Sequence, residues 1–420
     1  IKNAIDSSKE ETNKPSLIIA KSTIGKFAPN KQNTSSIHGA PLGNEEMKLF
    51  FDEIGWEGDP FDHSDDVYDY FAEKRLEGNK SFEKWKSNLD NKLNNDGSFK
   101  KLWEQFEKNE LSFPESFEIQ EAATRVTGGN YLKLIGLENK FVLGGSADLA
   151  ASTKQIISEE SYTSENRHGQ NIEFGIREHS MAAVVNGISL HSNLFSFGST
   201  FLVFSDYMRP SIRLASLMNL NSAYIFTHDS IYLGEDGPTH QPVEHLMSLR
   251  LIPGLDVIRP SNSVETIYAY KYLFSNTKNP KVLSLTRQNL KFLDYDVDYS
   301  DFLNGGFIIS KGEDLTIFAS GSEVNLALEI KETLKEYSVQ VVSVPILNKL
   351  TPKISESLNN NKLTFTIELG KAAGWSDYIG NITESFSVQT FGKSAPENDL
   401  AEFFKVNADS IGKKIRNYLG

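Results

Sequence analysis

The groups best suited to chemistry are concentrated in sixteen residues. The segment Thr227-His228-Asp229-Ser230-Ile231-Tyr232-Leu233-Gly234-Glu235-Asp236-Gly237-Pro238-Thr239-His240-Gln241-Pro242 holds two histidines and three acids. Its two glycines and two prolines keep it from being an ordinary helix or strand. Three of the chain's eight histidines lie between 228 and 245. Imidazole titrates near neutrality, so it can bind oxygen atoms and exchange protons with them. The apolar run Ser222-Ala223-Tyr224-Ile225-Phe226 leads into this segment as a strand would. A polar loop at the carboxyl end of a buried strand is where open α/β sheets bind ligands. The composition alone also fits a solvated polar loop, so the elements around it decide.

Those elements fall into three pieces, 1–112, 113–300 and 301–420. The first has one expected strand, Ser16–Ala20, then a Gly/Asn/Ser-rich loop to Gly43. Asn44 is placed to cap a helix with an apolar face of Met47, Phe50, Phe51 and Ile54. Residues 64–79 and 80–110 read as polar helices, the second with Phe82, Trp85, Leu89 and Leu93 on one stripe. The second piece alternates helices with short apolar runs at 140–143, 194–197, 223–226, 256–258 and 282–285. Near-continuous apolar strands belong to a parallel sheet covered on both faces. The third piece shows strands at 307–309, 315–319, 339–344 and 363–367 with a helix at 323–337. The expected fold class is α/β, with a parallel-sheet domain followed by a smaller α/β domain.

Composition excludes several classes of function. At 420 residues the chain is too long for a single core. Its net charge of -13 argues against nucleic acid or an anionic membrane as partner. The chain has no cysteine, which removes disulfides, thiolate catalysis and cysteine-ligated zinc and agrees with a cytoplasmic setting. No apolar run reaches membrane-spanning length. The start, Ile1-Lys2-Asn3, has neither Met nor a signal-peptide pattern, so Ile1 is not expected to be the natural start of translation. Common motifs fail. Gly392-Lys393-Ser394 lacks the first glycine of a P-loop, since position 387 is Ser. There is no G-x-G-x-x-G and no G-x-S-x-G. His240 and His245 are five apart, unlike a zinc helix. A metal site from His228, Asp236 and His240 stays open at this point.

Eight motifs in one order resemble the transketolase family. They are His38-Gly39-Ala40-Pro41-Leu42-Gly43, Asp59-Pro60-Phe61, Ala123-Thr124-Arg125 and Gly144-Gly145-Ser146-Ala147-Asp148-Leu149. Arg177-Glu178-His179, Thr200-Phe201-Leu202, the 227–242 loop and Arg287-Gln288-Asn289-Leu290 follow. The resemblance implies a thiamine diphosphate enzyme that moves a two-carbon ketol unit from a ketose phosphate to an aldose phosphate in the pentose phosphate pathway. It implies a thiamine-diphosphate-binding fold in which 113–300 is the pyrimidine-binding domain. Residues 1–112 then correspond to the tail of the diphosphate-binding domain with a helical linker.

The same resemblance assigns roles. The cofactor's own 4′-imino group takes the thiazolium C2 proton, and it becomes basic only when an acid contacts N1′ of the pyrimidine. Glu178 matches that acid, because a carboxyl in an apolar cleft can share a proton with the ring. Phe201, Phe204 and Tyr207 match the box around the pyrimidine, and their i, i+3, i+6 spacing would place them on one helical face. Leu149 and Asp148 match further cofactor contacts, and Ile24 matches the residue that bends the cofactor. Arg125, Ser152, His228 and Arg287 match the set that holds the substrate phosphate, for which arginine forks are suited. Asp236 matches the reader of the C2 hydroxyl, and His38 and His240 match groups that bind substrate oxygens and move protons. Ala151 stands where the family usually has proline, and Gly128-Gly129 would weaken the helix after Arg125 by about 1 kcal/mol per glycine.

The Gly-Asp-Gly motif and the downstream asparagine that hold the metal and the diphosphate in the family have no match here. The expectation is therefore a carboxyl-terminal part of a transketolase, inactive alone. The ligands for Mg2+ or Ca2+ would lie in an amino-terminal part of on the order of 200 residues. A homodimer with the site between subunits is implied as well. The competing expectations are another thiamine enzyme, such as dihydroxyacetone synthase or the β subunit of a 2-oxo acid dehydrogenase, and a non-catalytic dimerising subunit.

Overall fold

The computed structural model describes residues 1–119, 121–293, 295 and 297–420. Two compact units are formed, 1–97 and 98–420.

In the first unit the helices are Lys2–Glu10, Asn44–Ile54 and Asp65–Asn95. The expected strand at 16–20 is not formed, and Leu17 is 85% exposed. A lone strand has no ladder partner for its backbone groups, and the described residues of this unit contain no other strand. Asn44 opens its helix rather than capping it. Gly43 occupies the cap position, with φ 84° and no side-chain bond. The Phe82–Trp85 pair forms on one helix face, with ring centroids 5.8 Å apart, and both rings are about half exposed.

The second unit is built on two sheets. Strands β1 (Val142–Ser146), β2 (Phe195–Phe201), β3 (Ala223–Thr227), β4 (Asp256–Ile258) and β5 (Lys281–Leu285) form a parallel sheet in the order β1-β2-β3-β5-β4. The apolar runs are continuous because both faces are covered. On one face Phe197, Ile225 and Leu283 pack with Tyr131, Leu132 and Ile135 of helix Thr124–Glu138. On the other, Tyr224, Phe226 and Val282 pack with Met181 and Val185 of helix Glu178–His191 and with Met208 and Ile212 of helix Ser205–Leu217.

Gly128 and Gly129 lie within helix Thr124–Glu138, as expected, and packing accounts for them. A Cβ on Gly128 would lie 2.7 Å from the Tyr270 ring, and one on Gly129 would lie 2.2 Å from the Lys154 carbonyl oxygen. The loss in helix propensity permits this close approach.

The second sheet comprises β6 (Phe307–Ser310), β7 (Leu315–Ala319), β8 (Val339–Ser343), β9 (Leu363–Glu368) and β10 (Glu384–Ser387) in the order β10-β9-β7-β8-β6, with β6 antiparallel. Strand β10 was not expected. Its sequence, Glu-Ser-Phe-Ser, carries one apolar side chain, Phe386, whose buried ring stacks on Phe365 at 5.8 Å. The helix expected at 323–337 ends at Thr333.

Candidate active site

The carboxyl ends of the first sheet converge on one cleft. β1 runs into Asp148 and Leu149, β2 into Phe204, β3 into the 228–242 loop and β5 into Arg287. Ala147, Asp148, Leu149, Ile176, Glu178, Phe201, Phe204, Tyr207 and His240 line a cavity of about 490 Å³. The three aromatic residues do not share a helix. Phe201 ends β2, Phe204 closes a single 3-10 turn at Leu202–Phe204, and Tyr207 lies in the first turns of helix Ser205–Leu217. The turn keeps them together nonetheless. Phe201 and Phe204 stack at 5.8 Å with 10° between their planes, and Phe204 lies 6.1 Å from Tyr207. The edge of His240 meets Phe204 at 5.6 Å. Glu178 is the first residue of its helix and brings the carboxylate of the helix start to a wall that is mostly apolar apart from Asp148 and His240.

A cationic group adjoins the cavity. His228 packs against Phe201, the ring centroids 3.8 Å apart and the planes tilted by 32°. Its Nε2 lies 3.3 Å from Arg125 Nη1, and its Nδ1 lies 2.8 Å from Thr227 Oγ1. Guanidinium only donates, so Nε2 accepts and the ring proton sits on Nδ1, donated to Thr227. Burial, reinforced by Arg125 and Arg287, pushes the pKa of His228 down to about 3. It is therefore a neutral hydrogen-bonding group near pH 7, and the positive charge is carried by the arginines. Arg125 Nη1 also donates to the Ser152 carbonyl oxygen at 2.5 Å, while its buried Nε has no partner. Ser152 thus meets Arg125 through its backbone, within the short helix Ala150–Thr153. Burial and the nearby Arg287 both lower the pKa of Arg125.

Backbone strain marks the same edge. Asp148 has φ 59° and His228 φ 59°, left-handed conformations that non-glycine residues seldom hold without tertiary support. For the loop that support comes from the smaller domain. Asp229 bonds the buried Arg259, which also pairs with Glu323 at 2.8 Å. Gln241 Nε2 donates to the carbonyl oxygens of Ile231, Gly234 and Lys393. Ser394 Oγ donates to Glu235 O. Sequence reasoning missed Arg259, Gln241 and Glu323. An arginine directly after the apolar strand β4 was the available signal, because buried guanidinium requires buried acids.

Asp236 is exposed, between Gly234 and Gly237, which both have positive φ. Ile24 and His38 belong to the first unit and are exposed there. His228, Asp236 and His240 do not group closely enough to share a metal ion.

Comparison with known proteins matches three family models along the chain. The transketolase thiamine diphosphate binding domain matches 1–111, the transketolase pyrimidine binding domain 120–292, and the transketolase-like C-terminal domain 305–407. A transketolase of Bacillus subtilis is 37% identical over 98% of this chain and 65% of its own length. A transketolase of Leishmania mexicana superimposes with a TM-score of 0.91 at 30% identity, over 99% of this chain and 63% of that one. One from Campylobacter jejuni gives 0.85 at 32% identity, over 99% and 65%. The chain thus spans about two thirds of the length of the curated relatives it matches.

Proposed function

We propose, from the premise that this chain belongs to the transketolase family, that it forms the pyrimidine side of a thiamine diphosphate site for ketol transfer between sugar phosphates. The observation that carries the reading is the cavity itself. Glu178 and Asp148 line it together with a stack of aromatic rings, and a cationic group with an unmatched arginine donor adjoins them. That fits a planar heteroaromatic ring on one side and a phosphate on the other.

When bound, thiamine diphosphate supplies a carbon nucleophile for the two-carbon unit. In this reading Glu178 holds a proton at N1′ of the ring. Phe201, Phe204 and Tyr207 fix the ring plane and exclude water, with Leu149 and Asp148 completing the wall. Ile24 and His38, on the first unit, are assigned to the cofactor and to substrate oxygens. Arg125 and Arg287 hold the phosphate, and His228 adds a neutral hydrogen bond beside Ser152. His240 exchanges protons with substrate hydroxyls, and Asp236 reads the hydroxyl configuration at C2.

The divalent ion, Mg2+ or Ca2+, belongs with the diphosphate and is assigned to no residue of this cavity. A homodimer fits the exposed apolar residues on the two helices beside the cavity, Val184 and Leu190 on one and Tyr207, Leu214 and Leu217 on the other. Among the described residues no helix is long and apolar enough to cross a membrane. A cytoplasmic setting accords with the absence of cysteine.

The test is Glu178→Gln in the protein that carries this chain, with thiamine diphosphate binding and ketol transfer measured side by side. Transfer should fall at least 100-fold, about 2.7 kcal/mol in the barrier, while sugar-phosphate binding persists. Unchanged transfer would overturn the reading and favour a non-catalytic, dimerising role.

A further inference from the structure

We infer that Asp206, Glu244 and His245 form a site for a divalent cation of the zinc type, outside the cofactor cavity. One ligand atom from each of the three lies within 4.8 Å of the others. His245 carries the inference. It is 4% exposed, and neither ring nitrogen has a hydrogen-bond partner. Its Nε2 lies 3.2 Å from Asp206 Oδ2, and its Nδ1 lies 3.9 Å from Glu244 Oε2, yet neither contact is aligned as a hydrogen bond. A buried imidazole with both nitrogens unmatched is costly. An ion bound to one nitrogen and to the flanking carboxylates removes that nitrogen's share of the cost.

The spacing suits such an ion. Zinc–ligand bonds of about 2.0–2.2 Å at tetrahedral angles put neighbouring donors roughly 3.4 Å apart, close to the 3.2 Å between His245 and Asp206. Both carboxylates are more than half exposed, so the ion enters from solvent and water completes its shell. Imidazole among the ligands favours zinc over magnesium or calcium, which prefer oxygen throughout.

The position suggests a structural role. Asp206 sits in the first turn of helix Ser205–Leu217, and His245 opens helix His245–Arg250 directly after the 227–242 loop. The two helices already meet through Arg209, which donates to Ser248 Oγ at 2.9 Å and to its carbonyl at 2.7 Å. None of the three ligands lines the cofactor cavity, but Tyr207, next to Asp206, does. An ion here clamps the helix that presents Tyr207 to the end of the loop. The inference stands independently of the proposed function.

The test uses the tag-free protein that carries this chain, stripped with chelator, then titrated calorimetrically with Zn2+ in excess Mg2+. Metal content is measured after dialysis. One Zn2+ per chain should remain bound and raise the melting temperature. Asp206→Asn, at an exposed position that leaves the fold intact, and His245→Gln should each weaken this binding at least tenfold and abolish the rise in melting temperature. Zinc binding unchanged by Asp206→Asn, displacement by Mg2+, or no stoichiometric zinc would overturn the inference and leave only a close contact between His245 and Asp206.

Discussion

Arg259 Nε lies 2.8 Å from Asp229 Oδ2, and neither side chain is reached by solvent. The two residues join different parts of the unit. Asp229 follows His228 at the start of the 228–242 loop, and Arg259 leads out of β4 toward the smaller domain. There Arg259 Nη1 also meets Glu323 and the Ser320 carbonyl oxygen, each at 2.8 Å. Glu323 in turn accepts from the backbone N–H of Leu369. A second buried pair, Arg250–Glu368 at 2.6 Å, is completed by Trp375 Nε1 donating to Glu368 at 2.8 Å. The Arg259–Glu323 and Arg250–Glu368 pairs connect the first sheet's domain to the second. The smaller domain therefore braces the loop that carries His228, Asp236 and His240.

Removing the cation at the centre of this network should be severe. Arg259→Met leaves Asp229 and Glu323 buried without a counter-charge. Breaking a buried pair from one side costs about 3–5 kcal/mol, and denaturant unfolding should show a loss of that size. Replacing all three residues by apolar side chains of matching volume should recover much of it. If the single variant lost less than about 1 kcal/mol, the network would not be the brace described here.

The glycines of helix Thr124–Glu138 give a prediction whose sign opposes propensity. Alanine at an exposed helical position gains about 1 kcal/mol over glycine. At position 129 the new Cβ would meet the Lys154 carbonyl oxygen at 2.2 Å, which is backbone and cannot step aside. Overpacking of this kind typically costs about 1–3 kcal/mol. Gly129→Ala should therefore lower the melting temperature, and a rise would show that the helix has room to move away.

The parts of the fold that were legible in the sequence are those that bury a continuous apolar run. β3, β4 and β7 stand where their runs predicted, because each is covered on both faces. β10 was hidden because an edge strand with one buried phenylalanine carries no such run. The run at 16–20 misled for the opposite reason, since strand-like composition does not supply a neighbour to pair with. Beside the cavity, the grouping of Phe201, Phe204 and Tyr207 was expected, but the 3-10 turn that brings them together was not, because i, i+3 spacing is common to both helix types. The support from Arg259, Gln241 and Glu323 was illegible. Arg259 lies 30 residues from Asp229, and Gln241 lies 152 from Lys393, and no local pattern encodes such distances.

Gln241 tests how the loop is held. Its side-chain nitrogen donates to three carbonyl oxygens, two within the loop and one on Lys393. Gln241→Leu leaves these buried acceptors without a donor, at about 1–3 kcal/mol. Amide hydrogen exchange at 230–240 should accelerate more than exchange in β3 or β7. Uniform acceleration across both sheets would mean that the glutamine supports global stability rather than the loop.

The buried His228 makes a distinct pH prediction. Its pKa is held near 3 in the folded chain against 6.5 for an ordinary histidine, chiefly by burial and then by Arg125 and Arg287. Above pH 6.5 the ring is neutral in both states and contributes no pH dependence. Below 6.5 the unfolded chain takes up a proton that the folded chain refuses, so stability declines as pH falls, down to about pH 3. The slope is at most about 1.4 kcal/mol per pH unit, giving a loss of about 2 kcal/mol between pH 6.5 and 5. Urea unfolding of the wild type and of His228→Gln at pH 7 and pH 5 isolates this contribution, since the other titrating groups are common to both. The wild type should lose about 2 kcal/mol more than the variant on acidification. Equal losses would mean that His228 gains its proton within the fold, and the positive charge beside the cavity would then extend beyond the two arginines.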